Sequence, residues 1–300
     1  MIHDYLDLNQ TNLQVSRELI TLPVAVHTDS FRWQLELFWF GHRWVYGPAA
    51  RDRIHAIVIK RNDFWEIPAH RMQWDLNIPH SMCEAYFDVP RPVANMSLMY
   101  IKMILAVPLN IQIGLEQVLS KFDDEQILEI TDCDMLHFRP CPVQDVGHNE
   151  LIACAIYEDW HLHSLTENRY VIEPYFENGG RYYNGGFVPI IGRAATFRRI
   201  LPEWIAVHID ILRRPHSESI HWWAGMFALQ AACEKTHVQM ISEDFCYVPG
   251  RNALSSTHYI GHYCVDGAFD KRTYPQVDVA TFADNPYYGV IREWLAREQA

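Results

Sequence analysis

The sequence predicts a single-domain α/β fold, and four stretches of the chain carry that prediction. Ile20-Thr-Leu-Pro-Val-Ala-Val-His27 is an apolar run, Phe31 to Tyr46 is apolar nearly all round, and Arg53-Ile-His-Ala-Ile-Val-Ile-Lys60 is a second apolar run. A strand, a buried helix and another strand in that order form a βαβ unit, whose natural sheet is parallel. The fourth stretch is Ile127-Leu-Glu-Ile-Thr-Asp-Cys-Asp134, an apolar strand that runs straight into two carboxylates. In an open α/β sheet the carboxyl end of a strand opens into the crevice where ligands bind. These features describe a Rossmann-like βαβ half and a less regular C-terminal half.

The elements follow in order along the chain. A polar arm (Met1 to about Leu19) precedes the first strand, and Pro23 places that run near a strand start. Asp29 or Ser30 can cap the helix that follows, and Gly47-Pro48 stops it. A short strand over Cys83–Val89 and a helix over Asn95–Ala106 continue the alternation up to the strand that ends in Asp132. Beyond it, Leu151–Tyr157 reads as a strand and Ala194–Arg213 as one or two helices with a break at Pro202. Trp222–Lys235 is a helix, Val238–Ile241 a short strand and Tyr287–Glu298 a terminal helix. The expected division is an arm over 1–19, a domain over 20–285 (halves 20–140 and 141–285) and a C-terminal helix within 286–300.

Composition narrows the function. The 300 residues are 49% hydrophobic and 21% charged, enough apolar surface for a sizeable core. A formal net charge of −12 argues against a nucleic-acid partner, which needs basic surface to neutralise phosphates. No apolar run approaches membrane-spanning length and no cationic-then-apolar leader follows Met1, so the expected location is cytoplasmic, with no integral membrane segment. Seven scattered cysteines with no Cys-x-x-Cys suit reduced thiols better than a disulfide framework or a structural zinc site.

In a strand, residues two apart point to the same face, so Asp132 and Asp134 can converge on one ion. Two hard carboxylate oxygens suit Mg²⁺ or Mn²⁺ shared with substrate phosphates. An Asp-x-Asp triplet also arises by chance in a chain this acidic, so its neighbours decide. Tyr182-Tyr-Asn-Gly-Gly-Phe187 puts adjacent glycines before an apolar strand, which marks either a plain hairpin turn or a close ligand approach. His258-Tyr-Ile-Gly-His262, if extended, sets two imidazoles on one face as a source of a further metal ligand. With sixteen histidines in the chain, a structural or solvated role is the alternative for each of them.

Asp132-x-Asp134 after an apolar strand, then Asn184-Gly-Gly-Phe187, then His262-Tyr-Cys264 with Phe269 and Lys271 shortly after, resembles a GT-A-fold nucleotide-sugar glycosyltransferase. The nearest likeness is to peptidyl serine galactosyltransferases and hydroxyproline arabinosyltransferases, over roughly residues 20–275. The resemblance implies a GT-A-like fold with a nucleotide-sugar half and an acceptor-binding C-terminal half. It implies a metal-dependent transfer of a sugar from a nucleotide-diphosphate donor, UDP favoured over GDP, to a hydroxyl on a glycan or protein. Asp132, Asp134 and His262 would hold Mn²⁺ or Mg²⁺. Thr28, Asp29, Asp132, Asn184, Gly185, Gly186 and Lys271 would bind the donor. Trp222, Trp223 and Tyr182 could form an aromatic acceptor platform, with core packing the alternative for the two tryptophans. Where such relatives often carry an acid before a methionine in the late helix, this chain has Gly225-Met226, so Glu218, Glu243 and Asp244 stand as candidate bases.

Two other classes compete. A sugar-phosphate nucleotidyltransferase could share the α/β half and the carboxylates, but it wants a Gly-rich phosphate loop after the first strand. His27-Thr-Asp-Ser-Phe-Arg32 has no glycine. A non-catalytic carbohydrate-binding domain of the same fold is the third reading, and the intact acid pair counts against it.

Overall fold

The computed structural model of the chain describes residues 19–27, 29–60, 77–84, 109, 111–155, 166, 168–176, 186–214, 220–263, 268–269, 274 and 276–298. β1 (Leu19–Val26) is buried along most of its length and leads into α1 (Asp29–Tyr46). Gly47, at φ 57°, ends α1 and opens a 3-10 turn over Gly47–Arg53 with Pro48 in its first turn. That turn absorbs the start of the predicted second strand. β2 spans Ala56–Ile59, with an isolated bridge from Ile54 to Thr21 just before it.

β3 (His80–Cys83) starts immediately after Pro79 and meets the predicted strand only at Cys83. Residues 85–89, the expected helix over Asn95–Ala106 and residues 1–18 of the expected arm lie outside the described residues. A helical stretch over 111–118 then leads to β4 (Ile127–Asp132) and β5 (Met135–His137). β6 (Glu150–Cys154) and β7 (Phe187–Arg193) follow, and β7 runs without a loop into α2 (Ala194–Arg213). α2 is one helix, not two. It continues through Pro202 because Phe197, Ile200, Leu201, Trp204 and Val207 on its other face are all buried. Tertiary packing there outweighs one missing backbone hydrogen bond. α3 (Ile220–Lys235), β8 (Gln239–Glu243), β9 (Cys246–Tyr247), β10 (Ile260–His262) and α4 (Pro286–Glu298) complete the chain.

Seven strands form a mixed central sheet in the order β3-β2-β1-β4-β7-β6-β8. The β3-β2-β1-β4 half is parallel throughout, whereas β7 lies antiparallel to both β4 and β6. Strand order reverses between β1 and β4, and such a switch point is where open α/β sheets bind ligands. The β1–β4 register pairs Val24 with Asp132, so the first carboxylate stands at the carboxyl end of both strands.

A second sheet, β5-β10-β9, sits beyond the carboxyl end of β4 in the chain and pairs β10 antiparallel with β5. α1 lies close over it. A Cβ at Gly41 would come within 2.3 Å of Leu136 Cδ1 and 2.8 Å of the His137 carbonyl oxygen, so only glycine allows this approach. α4 closes the far side, burying Val290, Ile291, Trp294 and Leu295 with Leu37 and Phe269. No helix among the described residues is long and apolar enough to cross a membrane.

Candidate metal and donor site

β4 is a fully buried run up to Thr131, and the chain leaves the sheet at Asp132. It turns through Cys133 and Asp134 into β5. Backbone bonds fix this turn on both sides: the Cys133 N–H donates to the Val24 carbonyl at 3.3 Å, and the Tyr263 N–H to the Asp134 carbonyl at 3.2 Å. The Tyr263 hydroxyl donates to the Cys133 carbonyl oxygen at 3.2 Å. Burial, and then the charge of Asp134, push that phenol well above its ordinary value, so it keeps the proton that it donates here.

The register of β10 with β5 sets His262 opposite Met135, one residue past Asp134. His262 Nε2 therefore lies 3.2 Å from Asp134 Oδ1, both side chains nearly buried. Ligand atoms of Asp132, Asp134 and His262 all fall within 4.8 Å of one another. Octahedral ligands about 2.1 Å from a central ion are about 3.0 Å apart when adjacent and about 4.2 Å when opposed, so this cluster matches the span of one divalent ion. Two carboxylates and an imidazole are a suitable set for Mn²⁺ and an acceptable one for Mg²⁺.

The Asn-Gly-Gly-Phe segment reaches the same corner through its last two residues. Gly186 takes φ 97°, and a Cβ there would lie 3.2 Å from the Met226 carbonyl oxygen in α3. Its backbone thus runs against α3 where a side chain would be both strained and crowded. Phe187 next to it packs its ring 5.4 Å from that of His262.

His258 does not join the cluster. Its Nδ1 accepts from the Ser255 N–H at 3.0 Å, so Nε2 carries the proton and donates to Asp244 Oδ1 at 2.7 Å. It precedes β10 rather than lying in it, which removes the shared strand face expected for His258 and His262. Asp244, half-exposed, thereby has its carboxylate oriented, whereas Glu243 ends β8 exposed. Asp29 opens α1 and Trp222 lies in the first turn of α3. Trp223 is buried in the core, the alternative that its sequence context left open. Thr28, Tyr182, Asn184, Gly185, Glu218 and Lys271 lie outside the described residues.

Gly225 gains a physical explanation. A Cβ there would meet His208 Cε1 at 3.2 Å and Gln112 Nε2 at 3.4 Å. The buried pair, joined by a 2.9 Å bond between Gln112 Nε2 and His208 Nδ1, occupies the ground an acidic side chain would need.

A buried polar group beneath the turn escaped the sequence reading. Glu129, wholly buried in β4, accepts from Thr21 Oγ1 at 2.6 Å and from the Tyr259 hydroxyl at 2.7 Å. His137 Nε2 lies 3.2 Å from the same carboxylate, and His137 Nδ1 is 3.3 Å from His42 Nδ1. Burial raises the Glu129 carboxyl, but His137 and the bonds from His137, Thr21 and Tyr259 lower it more, leaving it below its ordinary value. The available signal was one charge inside the apolar run Ile127-Leu-Glu-Ile130.

No protein-family model matches the chain, and no curated protein matches it either. Solved structures do. One, described as an active-site mutant of LgtC, is 12% identical over 93% of this chain and 96% of its own, with a TM-score of 0.50. Another, described as galactosyltransferase LgtC in complex with donor and acceptor sugar analogues, is 13% identical over the same shares at a TM-score of 0.46. A seven-stranded mixed sheet with this switch point, aligned over nearly the whole of both chains, gives the protein a GT-A fold.

Proposed function

We propose that this protein is a glycosyltransferase that moves a sugar from a nucleotide-diphosphate sugar, UDP favoured, to a hydroxyl on a glycan or protein acceptor. The observation that carries the reading is the meeting of Asp132, Asp134 and His262 at the β1/β4 switch point of a GT-A fold. Those three residues would hold Mn²⁺ or Mg²⁺, which when bound offsets the charge that builds on a departing nucleoside diphosphate. LgtC, which shares the fold, is a galactosyltransferase solved with donor and acceptor sugar analogues.

Side chains of this protein have definable parts in such a reaction. Asp134, in the turn into β5, and His262, on β10, meet nearly buried while Asp132 stands half-buried at the end of β4, so a donor diphosphate would approach the three ligands from the side of Asp132. The Gly186 backbone supports the floor on which the donor sugar rests, with Asn184 and Gly185 before it. Thr28 and Asp29 hold the nucleoside at the end of β1, and Lys271 meets a phosphate. For an inverting reaction, a carboxylate must take the acceptor proton from within hydrogen-bond reach. Among Glu218, Glu243 and Asp244, the last has its carboxylate held in place by His258, as a base requires.

The test is a thermal-shift screen of nucleotide sugars with and without Mn²⁺, followed by donor hydrolysis assays. A UDP-sugar together with Mn²⁺ is expected to raise the melting point by mass action. If no nucleotide sugar stabilises the protein with any divalent ion, and none is hydrolysed, the transferase reading fails.

A further inference from the structure

We infer that Glu129 is a positioning residue that fixes Asp132 relative to Asp134 and His262, an inference that rests on the metal-site reading above. Each partner of its carboxylate stands three residues from a key point of the site. Glu129 itself is three residues before Asp132 on β4, and His137 is three residues after Asp134 on β5. Tyr259 is three residues before His262 on β10, and Thr21 is three residues before Val24, the register partner of Asp132. At about 3.3 Å of rise per strand residue, Glu129 stands about 10 Å before Asp132 along β4.

The residues that would hold the ion come from two sheets and the turn between them: β4 ends in Asp132, the turn into β5 carries Asp134, and β10 carries His262. Glu129 spans that division, accepting from Thr21 on the central sheet at 2.6 Å and from Tyr259 beside the second sheet at 2.7 Å. His137 at 3.2 Å adds β5, and its other nitrogen faces His42 of α1 at 3.3 Å. Glu129 and His137 are wholly buried. A buried carboxylate is a poor way to gain stability alone, since apolar side chains of similar volume often serve as well. What it provides that an apolar side chain cannot is a set of directional bonds that define the relative placement of three strands. Groups that hydrogen-bond metal ligands directly typically lower metal affinity about 10- to 100-fold when changed, and Glu129, which acts through the strands and touches no ligand itself, belongs at the low end of that range.

The experiment measures Mn²⁺ alone binding to the full chain, by the electron paramagnetic resonance signal of free and bound ion. Glu129→Gln keeps the size of the side chain, Tyr259→Phe removes one hydroxyl, and Ile130→Val is a packing control on the same strand. Glu129→Gln is expected to bind Mn²⁺ about 10-fold more weakly with an altered bound-ion spectrum. Tyr259→Phe is expected to weaken binding about threefold in the same direction, and Ile130→Val to lower the melting point while leaving affinity unchanged. Binding by folded Glu129→Gln within twofold of wild type, with an unchanged spectrum, overturns the inference. Should Glu129→Gln not fold, Tyr259→Phe decides, and unchanged affinity there overturns it equally. A wild type that binds Mn²⁺ but turns over no nucleotide sugar defeats the transferase reading and leaves this inference standing. A wild type that binds no divalent ion defeats both.

Discussion

Asp134 is 6% exposed and has His262 Nε2 3.2 Å away, so its carboxylate is oriented before any ion arrives. Asp134→Ala is therefore expected to weaken Mn²⁺ binding by more than about 100-fold, beyond the range typical of residues behind the ligands. Isothermal titration of variant and wild type checks this, and equal affinities would remove Asp134 from the metal set. Histidines buried elsewhere predict a pH dependence. Burial holds His208 down to about 3, and burial followed by the neighbouring His137 lowers His42 well below its ordinary 6.5. An unfolded chain takes up a proton at each imidazole below about 6.5, whereas the folded chain does not until much lower. The unfolded state then binds more protons, so stability falls as pH drops from about 6.5 towards 4, by up to about 1.4 kcal/mol per pH unit for each imidazole. Glu129, with its carboxyl lowered below 4.5, adds a further loss only under that value. Urea midpoints at pH 7 and 5 should show the fall, and His208→Gln should reduce it. A flat profile would mean that these imidazoles are not held neutral.

Elements differ in how plainly the sequence announced them. β1 and β4 were legible because both faces of each are buried, which forces continuous apolar runs. β3 was not, because His80-Ser-Met-Cys83 lies at the sheet edge and its burial alternates with exposure. The 3-10 turn over Gly47–Arg53 displaced the start of β2, a boundary that local propensity does not specify. α2 shows packing overriding a breaker. Pro202 is exposed in mid-helix, where it removes one backbone bond and crowds the carbonyl four residues earlier. Pro202→Ala should restore that bond and stabilise the protein by about 1–3 kcal/mol. Chemical denaturation of the variant checks it, and a loss of stability would show that the proline's bend is part of how α2 meets α3.

On the scale of the whole molecule, the candidate site lies across two sheets rather than within one. An ion held by Asp132 from β4 and by His262 from β10 would tie them together, so metal binding should couple to global stability. At about 100 times its dissociation constant, Mn²⁺ should add about 2.7 kcal/mol, enough to raise the melting point by several degrees. Scanning calorimetry with Mn²⁺ and then with excess chelator checks this, and Asp134→Ala should abolish the shift. No shift at saturating ion would mean that the native state does not bind it. None of the six described cysteines is in a disulfide, so a covalent link makes no contribution to that coupling.

Local sequence was enough for the βαβ half, for the strand that ends in Asp132 and for the glycine-rich approach to β7, each written as an apolar run or a breaker. Asp134 lies past that strand, so it meets Asp132 through the turn into β5 and not through the strand alternation that the sequence led one to expect. The resemblance singled out His262 among sixteen histidines, but its cause is tertiary: His262 is 128 positions from Asp134, and only the β5–β10 register brings it near. The same holds for Glu129, whose bonds to Thr21, His137 and Tyr259 join positions up to 130 residues apart. Short-range periodicity specifies which face of a strand is buried. It does not specify which strands lie side by side or in what register, and those two choices build the site.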